Sequence, residues 1–127
     1  MTTPLIYDTG ALLAAERRKP RVAALHVEAL RAGTVPVVPA VVLAQAWRGG
    51  SQPELSRFLR GCHIEPDTAE IARAAGVACA RAGTSDVVDA IVVVTASARN
   101  AVVLTSDPDD LRKLADVMEL PLRIRPV

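Results

Sequence analysis

The stretch SDVVDAIVVVTASARNAVVLTSDPDDLRKLADVM, residues 85–118, decides the fold. Ser85 or Asp86 is a helix-capping residue, and the Val-rich segment that follows it to Arg99 reads as a buried helix. Ala101 to Thr105 is a continuous apolar run of β-branched character and strand length, so it reads as a strand covered on both faces. Pro108 to Met118 returns to the helical pattern with proline in its first turn. A buried strand held between two helices is the unit from which parallel sheets are built, and the rest of the chain repeats it.

Upstream, Leu5-Ile6-Tyr7 reads as a short buried strand leading into a helix over Ala11 to Arg18 that stops near Pro20. From Pro20 the apolar positions Val22, Leu25, His26, Ala29 and Leu30 keep helical spacing, and Gly33 ends them. Val35 to Val38 is a second strand, with Pro36 marking its start. Pro39 opens a helix through Arg48, closed by Gly49-Gly50. Pro53 to Arg60 reads as a short helix and Cys62 to Ile64 as a short strand. Thr68 to Arg81 is a helix with Ile71, Ala75, Ala78, Cys79 and Ala82 on its inner face and Gly83 at its end. Leu122 to Arg125 is the last strand. The expectation is an α/β fold, a three-layer α/β/α sandwich around a mainly parallel sheet of four to five strands. No linker, repeat or low-complexity segment interrupts it, so one domain is expected over residues 1–127.

Half of the 127 residues are apolar and only Tyr7, Trp47 and Phe58 are aromatic, so the core must be made of Val, Leu, Ile and Ala. A formal net charge of +1 gives no overall argument for a polyanionic partner. Cys62 and Cys79 form no zinc pattern with His26 or His63 and are expected as reduced thiols that pack as small hydrophobes. The N-terminal residues lack the layout of a signal peptide and no apolar run approaches a membrane span, so a cytoplasmic protein is expected.

In an open parallel sheet, ligands bind outside the carboxyl ends of the strands. Asp8 directly follows the first strand, and Asp107 follows Leu104 by three residues. The helix opened at Ser85 runs antiparallel to the strand after it, which brings Asp86 and Asp89 to the same rim, three apart and on one face. Three carboxylates about 5 Å apart at an effective dielectric near 20 repel by roughly 3 kcal/mol per pair, on the order of 10 in all. That rivals the stability of a small domain. Either the acids take up protons or a cation joins them, and no lysine or histidine stands beside these positions in the sequence. A set of oxygen donors without Cys or His selects Mg²⁺ or Mn²⁺. Simpler roles compete: Asp86 as an N-cap with Asp89 at N3, Asp107 as the cap of the helix at Pro108, Asp8 as a turn residue.

Three segments in this order, Leu5-Ile6-Tyr7-Asp8-Thr9-Gly10-Ala11-Leu12, Asp86-Val87-Val88-Asp89-Ala90 and Val103-Leu104-Thr105-Ser106-Asp107, resemble the PIN-domain ribonucleases, especially the VapC-like toxins of bacterial toxin–antitoxin pairs. The resemblance covers nearly the whole chain. It implies a Mg²⁺- or Mn²⁺-dependent endoribonuclease that cuts single-stranded regions of RNA, forms a homodimer and is silenced by a VapB-like antitoxin. It implies further that Asp8, Asp89 and Asp107 are catalytic metal ligands, with Asp86 an additional carboxylate near the metal.

One position departs from the pattern. The family's second acid falls at Gln45, which keeps size and hydrogen bonding but loses the charge. Gln45 is expected to orient a metal-bound water, with Glu16, Asp86 and Asp110 as candidate replacement acids; a PIN-fold module that binds antitoxin or RNA without cutting is the alternative. Thr9 and Thr105 read as supports for the carboxylates. Arg17, Arg18, Lys19 and Arg21 read either as a solvated helix end or as a contact for RNA phosphate. Trp47 is expected in core or dimer packing rather than stacked on a base. A phosphoryl-accepting domain is disfavoured by Gly10 where a second acid would stand, and dinucleotide binding by the lack of a glycine-rich loop.

Overall fold

The computed structural model describes residues 3–127. In chain order the elements are β1 (Leu5–Tyr7), α1 (Thr9–Glu16), α2 (Pro20–Arg31), β2 (Val37–Pro39), α3 (Ala40–Ala46), α4 (Pro53–Leu59), β3 (His63–Glu65), α5 (Ala69–Ala82), α6 (Val87–Arg99), β4 (Val102–Thr105), α7 (Pro108–Val117) and β5 (Arg123–Pro126). The five strands are all parallel, in the order β3-β2-β1-β4-β5. The sheet grows from β1 toward β3 on one side and from β4 toward β5 on the other. Right-handed crossovers in opposite directions put their helices on opposite faces. Accordingly α1 packs on α2, α3 and α4, while α5, α6 and α7 pack on one another. This is the expected three-layer sandwich, and its direction of winding reverses between β1 and β4, where such sheets open a crevice.

One hydrophobic cluster joins the layers, with Ile6, Val38, Val103 and Leu104 from the strands, Leu12 and Leu55 from one face, and Ala75, Ala78 and Leu111 from the other. Every residue of α6 from Val88 to Ala96 is buried, which explains its apolar composition on all sides. The alanines of α5 leave room for α6 to lie close. Cys62 and Cys79 are free thiols, and burial pushes Cys62 up to about 12. No helix among the described residues is long and apolar enough to cross a membrane.

Several sequence expectations are shifted for local reasons. β2 starts at Val37 because Pro36 has no N–H to give the ladder; its carbonyl instead accepts from the backbone N–H of His63 at 2.8 Å. α1 starts at Thr9, earlier than Ala11, because Asp8 caps it, and ends at Glu16. Leu30 is 41% exposed: eight residues past Val22, it falls about 80° around the helix from the buried stripe. Trp47 is also exposed rather than part of the core, since α3 ends at Ala46 and Trp47 turns out in extended conformation.

A second buried polar feature holds β1 to α2. The Tyr7 hydroxyl hydrogen-bonds to His26 Nδ1 at 2.8 Å, and the imidazole stacks on Phe58 with ring centroids 3.9 Å apart. Burial depresses the His26 pKa and raises that of Tyr7, which the nearby Cys62 raises further. The imidazole is thus held neutral, with Nδ1 the acceptor. Tyr7→Phe leaves that nitrogen buried without a donor and is expected to destabilise the fold by about 1–3 kcal/mol in urea denaturation.

Candidate metal centre

The centre is built at the switch point. Asp8 is the first residue past β1, and its backbone N–H donates to the Leu104 carbonyl of β4 at 3.0 Å, which continues the β1–β4 ladder to the rim. Its carboxylate is buried and doubly held: Oδ1 accepts from the Thr9 N–H at 2.7 Å, and Oδ2 accepts from the Thr105 hydroxyl at 2.8 Å. The same Thr105 oxygen accepts from the backbone N–H of Asp107 at 3.0 Å. Thr105, fully buried, therefore ties the two loops together, and Thr9 supports Asp8 through its backbone.

Two helices then start at this rim with the same spacing of acids. α6 begins at Asp86-x-x-Asp89, and the Asp86 carboxylate accepts from the Asp89 N–H at 3.2 Å, so the capping role weighed for Asp86 is realised. α7 begins at Asp107-x-x-Asp110, yet the Asp107 side chain makes no capping hydrogen bond. A carboxylate from each of Asp89, Asp107 and Asp110 meets within 4.8 Å. Of the replacement acids for Gln45, Asp110 thus lies in the cluster. Glu16 does not serve: it is at the far end of α1, where it accepts from Gln52 Nε2 at 2.9 Å.

The electrostatics follow from this crowding. Asp89 is pushed up to about 8 by burial, then by the charges of Asp86, Asp8 and Asp107 and by its hydrogen bond to Asp86. Asp107 is raised by its hydrogen bond to the Asp110 carboxyl, by desolvation and by the charges of Asp110, Asp8 and Asp109. Asp8 is raised by burial and by Asp86, against the lowering effect of its Thr105 and Thr9 hydrogen bonds.

No lysine, arginine or histidine nitrogen among the described residues lies within 4.0 Å of these carboxylates. Lys113 nevertheless lines the small cavity formed with Asp86, Asp89 and Asp110, without an ion pair to any of them. It is distant from Asp89 in sequence, but three residues after Asp110 it shares that face of α7. The donor set fits a hard divalent cation. All three donors are carboxylate oxygens within 4.8 Å of one another, near the roughly 3–4 Å between ligands of an octahedron at 2.0–2.1 Å.

Gln45 stands at the edge, exposed, with Oε1 accepting from the Thr9 hydroxyl at 2.6 Å. It is linked to Asp8 through Thr9 and is not a member of the carboxylate cluster. Gly10 sets the spacing of the two loops. A Cβ there would lie 2.0 Å from Ser106 Oγ and 3.0 Å from the Ser106 backbone nitrogen. Gly10→Ala is therefore expected to part Asp8 from Asp107, destabilise the fold by about 1–3 kcal/mol and weaken Mn²⁺ binding, measured by calorimetry.

A larger concavity lies elsewhere. A groove of about 600 Å³, lined by Leu43, Trp47, Leu59, Ile64 and smaller side chains of α3 and α4, with Arg60 at its wall, carries no carboxylate. Its apolar walls suit a docking surface better than phosphoryl chemistry.

A family model for the PIN domain matches residues 5–117. No curated protein matches the chain. Among solved structures, VapBC2 from Rickettsia felis, bound to a DNA fragment from their promoter, is similar at 17% identity with a TM-score of 0.71, covering 98% of both chains. DNA-bound VapBC from Salmonella typhimurium is similar at 18% identity and 0.64, again covering 98% of both. PAE2754 from Pyrobaculum aerophilum is similar at 17% identity and 0.58, covering 92% of this chain and 87% of that one.

Proposed function

The chain belongs to the PIN-domain family, and from that premise we propose that it is a metal-dependent endoribonuclease, the VapC-like toxin of a type II toxin–antitoxin pair. The observation that carries this reading is the meeting of Asp89, Asp107 and Asp110 within 4.8 Å at the β1–β4 switch point, beside the anchored Asp8. Asp8, Asp89 and Asp107 would hold the ion, joined by Asp110. Both oxygens of Asp8 already accept one hydrogen bond, but each keeps a lone pair for a cation. Asp86 accepts from the Asp89 N–H as the α6 cap and lines the same small cavity.

A Mg²⁺ or Mn²⁺ ion, when bound, supplies a Lewis acid that acidifies water and offsets charge growing on the phosphoryl oxygens. Gln45, held in place by the Thr9 hydroxyl, would hydrogen-bond the attacking water. Lys113, in the lining of the cavity beside Asp89 and Asp110, would face the phosphate. The substrate is RNA, and the protein works in the cytoplasm.

The partner in this reading is a VapB-like antitoxin. Two of the similar structures are VapBC complexes, and the apolar groove with the half-exposed Trp47 suits the apolar face of a helix. Homodimerisation has the exposed Val27, Leu30 and Val35 as a candidate surface.

The absent charge at Gln45 favours a second reading, a PIN-fold module that engages antitoxin or RNA without cutting. Incubation with a panel of single-stranded RNAs in Mg²⁺ or Mn²⁺ separates the two. The nuclease reading expects fragments that disappear with chelator and in Asp8→Asn; RNA left intact by the native chain in both metals refutes it.

A further inference from the structure

A second groove, of about 380 Å³, runs beside the acidic rim. Arg17, Lys19 and Arg21 line it from the α1–α2 junction, and Gly10 and Ser106 line it where it meets the loops that carry Asp8 and Asp107. No acidic side chain lines it. On a chain whose net charge is +1, three cations are thus gathered next to the place where the acids converge.

The backbone sorts these charges. Arg18 has φ 57, the left-handed conformation that a side-chain-bearing residue adopts at a cost of about 1–2 kcal/mol. Its side chain pairs with Glu54 at 3.3 Å, an acid that also pairs with Arg57 at 3.2 Å. Among the described residues Arg17, Lys19 and Arg21 make neither an ion pair nor a side-chain hydrogen bond.

We propose that this groove is a phosphate track, which holds the backbone of single-stranded RNA and leads it over Ser106 into the metal centre. The proposal rests on the nuclease reading for its direction but not for its contact. No aromatic side chain lines the groove, so bases have no platform to stack on. The contact is to phosphates and carries no sequence preference. Ser106, exposed between Thr105 and Asp107, offers a hydroxyl to the phosphate nearest the acids.

The test is fluorescence anisotropy of labelled oligouridylate and oligoadenylate on the full chain, with chelator present so that nothing is cut. Neutralising Arg17, Lys19 and Arg21 together to glutamine is expected to weaken both RNAs tenfold or more. It should reduce the slope of log affinity against log salt by about 2, near 0.7 for each cation. Melting temperature and Mn²⁺ affinity should be unchanged; if the triple variant melts early, the single variants must each lower the slope by about 0.7. Unchanged RNA affinity and slope overturn the track, as does a loss confined to an acidic polyglutamate peptide with RNA binding intact. RNA binding that depends on these cations in a chain that never cuts leaves the track standing and refutes the nuclease. Cleavage by a chain whose binding ignores them does the reverse.

Discussion

Asp89→Asn is expected to reduce Mg²⁺-dependent RNA cleavage by about 10²-fold or more while removing a pH dependence from the stability of the metal-free protein. Asp89 is the acid on which the others press: it is buried, it faces Asp86, Asp8 and Asp107, and it is pushed up to about 8. In the unfolded chain an aspartate titrates near 3.9. Between those values the folded protein holds a proton that the unfolded chain has released, so this group's stabilisation is full below about pH 3.9 and is lost as pH rises through 8. His26 acts in the opposite sense, since its pKa is depressed on folding. Its contribution is lost as pH falls below about 6.5, so above that pH it no longer opposes the Asp89 effect, while the buried thiols Cys62 and Cys79, raised on folding, add in the same direction only as pH nears their unfolded value of about 8.5. Metal-free protein should therefore unfold more easily at pH 8.5 than at pH 6.5, by on the order of 1–2 kcal/mol in urea, and Asp89→Asn should flatten that difference. Equal loss between the two pH values in native and variant protein would remove Asp89 from the centre of the repulsion.

Gln45→Glu should act in the other direction. The Thr9 hydroxyl that donates to Oε1 at 2.6 Å finds the same acceptor on glutamate, so the fold has no reason to change. The new charge lies at the mouth of an acidic cluster, where an added carboxylate draws a divalent ion in. About tenfold tighter Mn²⁺ binding is expected, near 1.4 kcal/mol, with faster cleavage at limiting metal. If Mn²⁺ affinity is unchanged in Gln45→Glu, Gln45 is a surface residue that happens to touch Thr9. If the native chain is inert and the variant cuts, Gln45 is the reason for the inertness.

Much of this was legible in the chain because local rules and the fold agree. The run Val102 to Thr105 is buried on both faces and sits centrally, as a continuous apolar stretch should, and Gly83 takes the left-handed conformation that ends α5. Asp8 and Asp107 reach the rim because each follows a central strand. The cluster itself was legible only in part. Asp110 stands in it because Asp107-x-x-Asp110 repeats at α7 the spacing of Asp86-x-x-Asp89 at α6. That repeat is in the sequence, but only packing brings the two helix starts together. Lys113 was hidden for the same reason, being remote from Asp89 along the chain and close across the α6–α7 contact. The fate of Trp47 and the division of the basic run both turn on single backbone angles, the extended Trp47 and the left-handed Arg18, which composition does not announce.

Titration calorimetry of Mn²⁺ into the full chain at pH 7, in two buffers of different ionisation enthalpy, tests the central claim most directly. Binding should expel about one proton, the one Asp89 holds without metal, and should lose affinity markedly in Asp8→Asn, Asp107→Asn and Asp110→Asn. Mn²⁺ that binds equally well to those variants, or does not bind to the native chain, would contradict it.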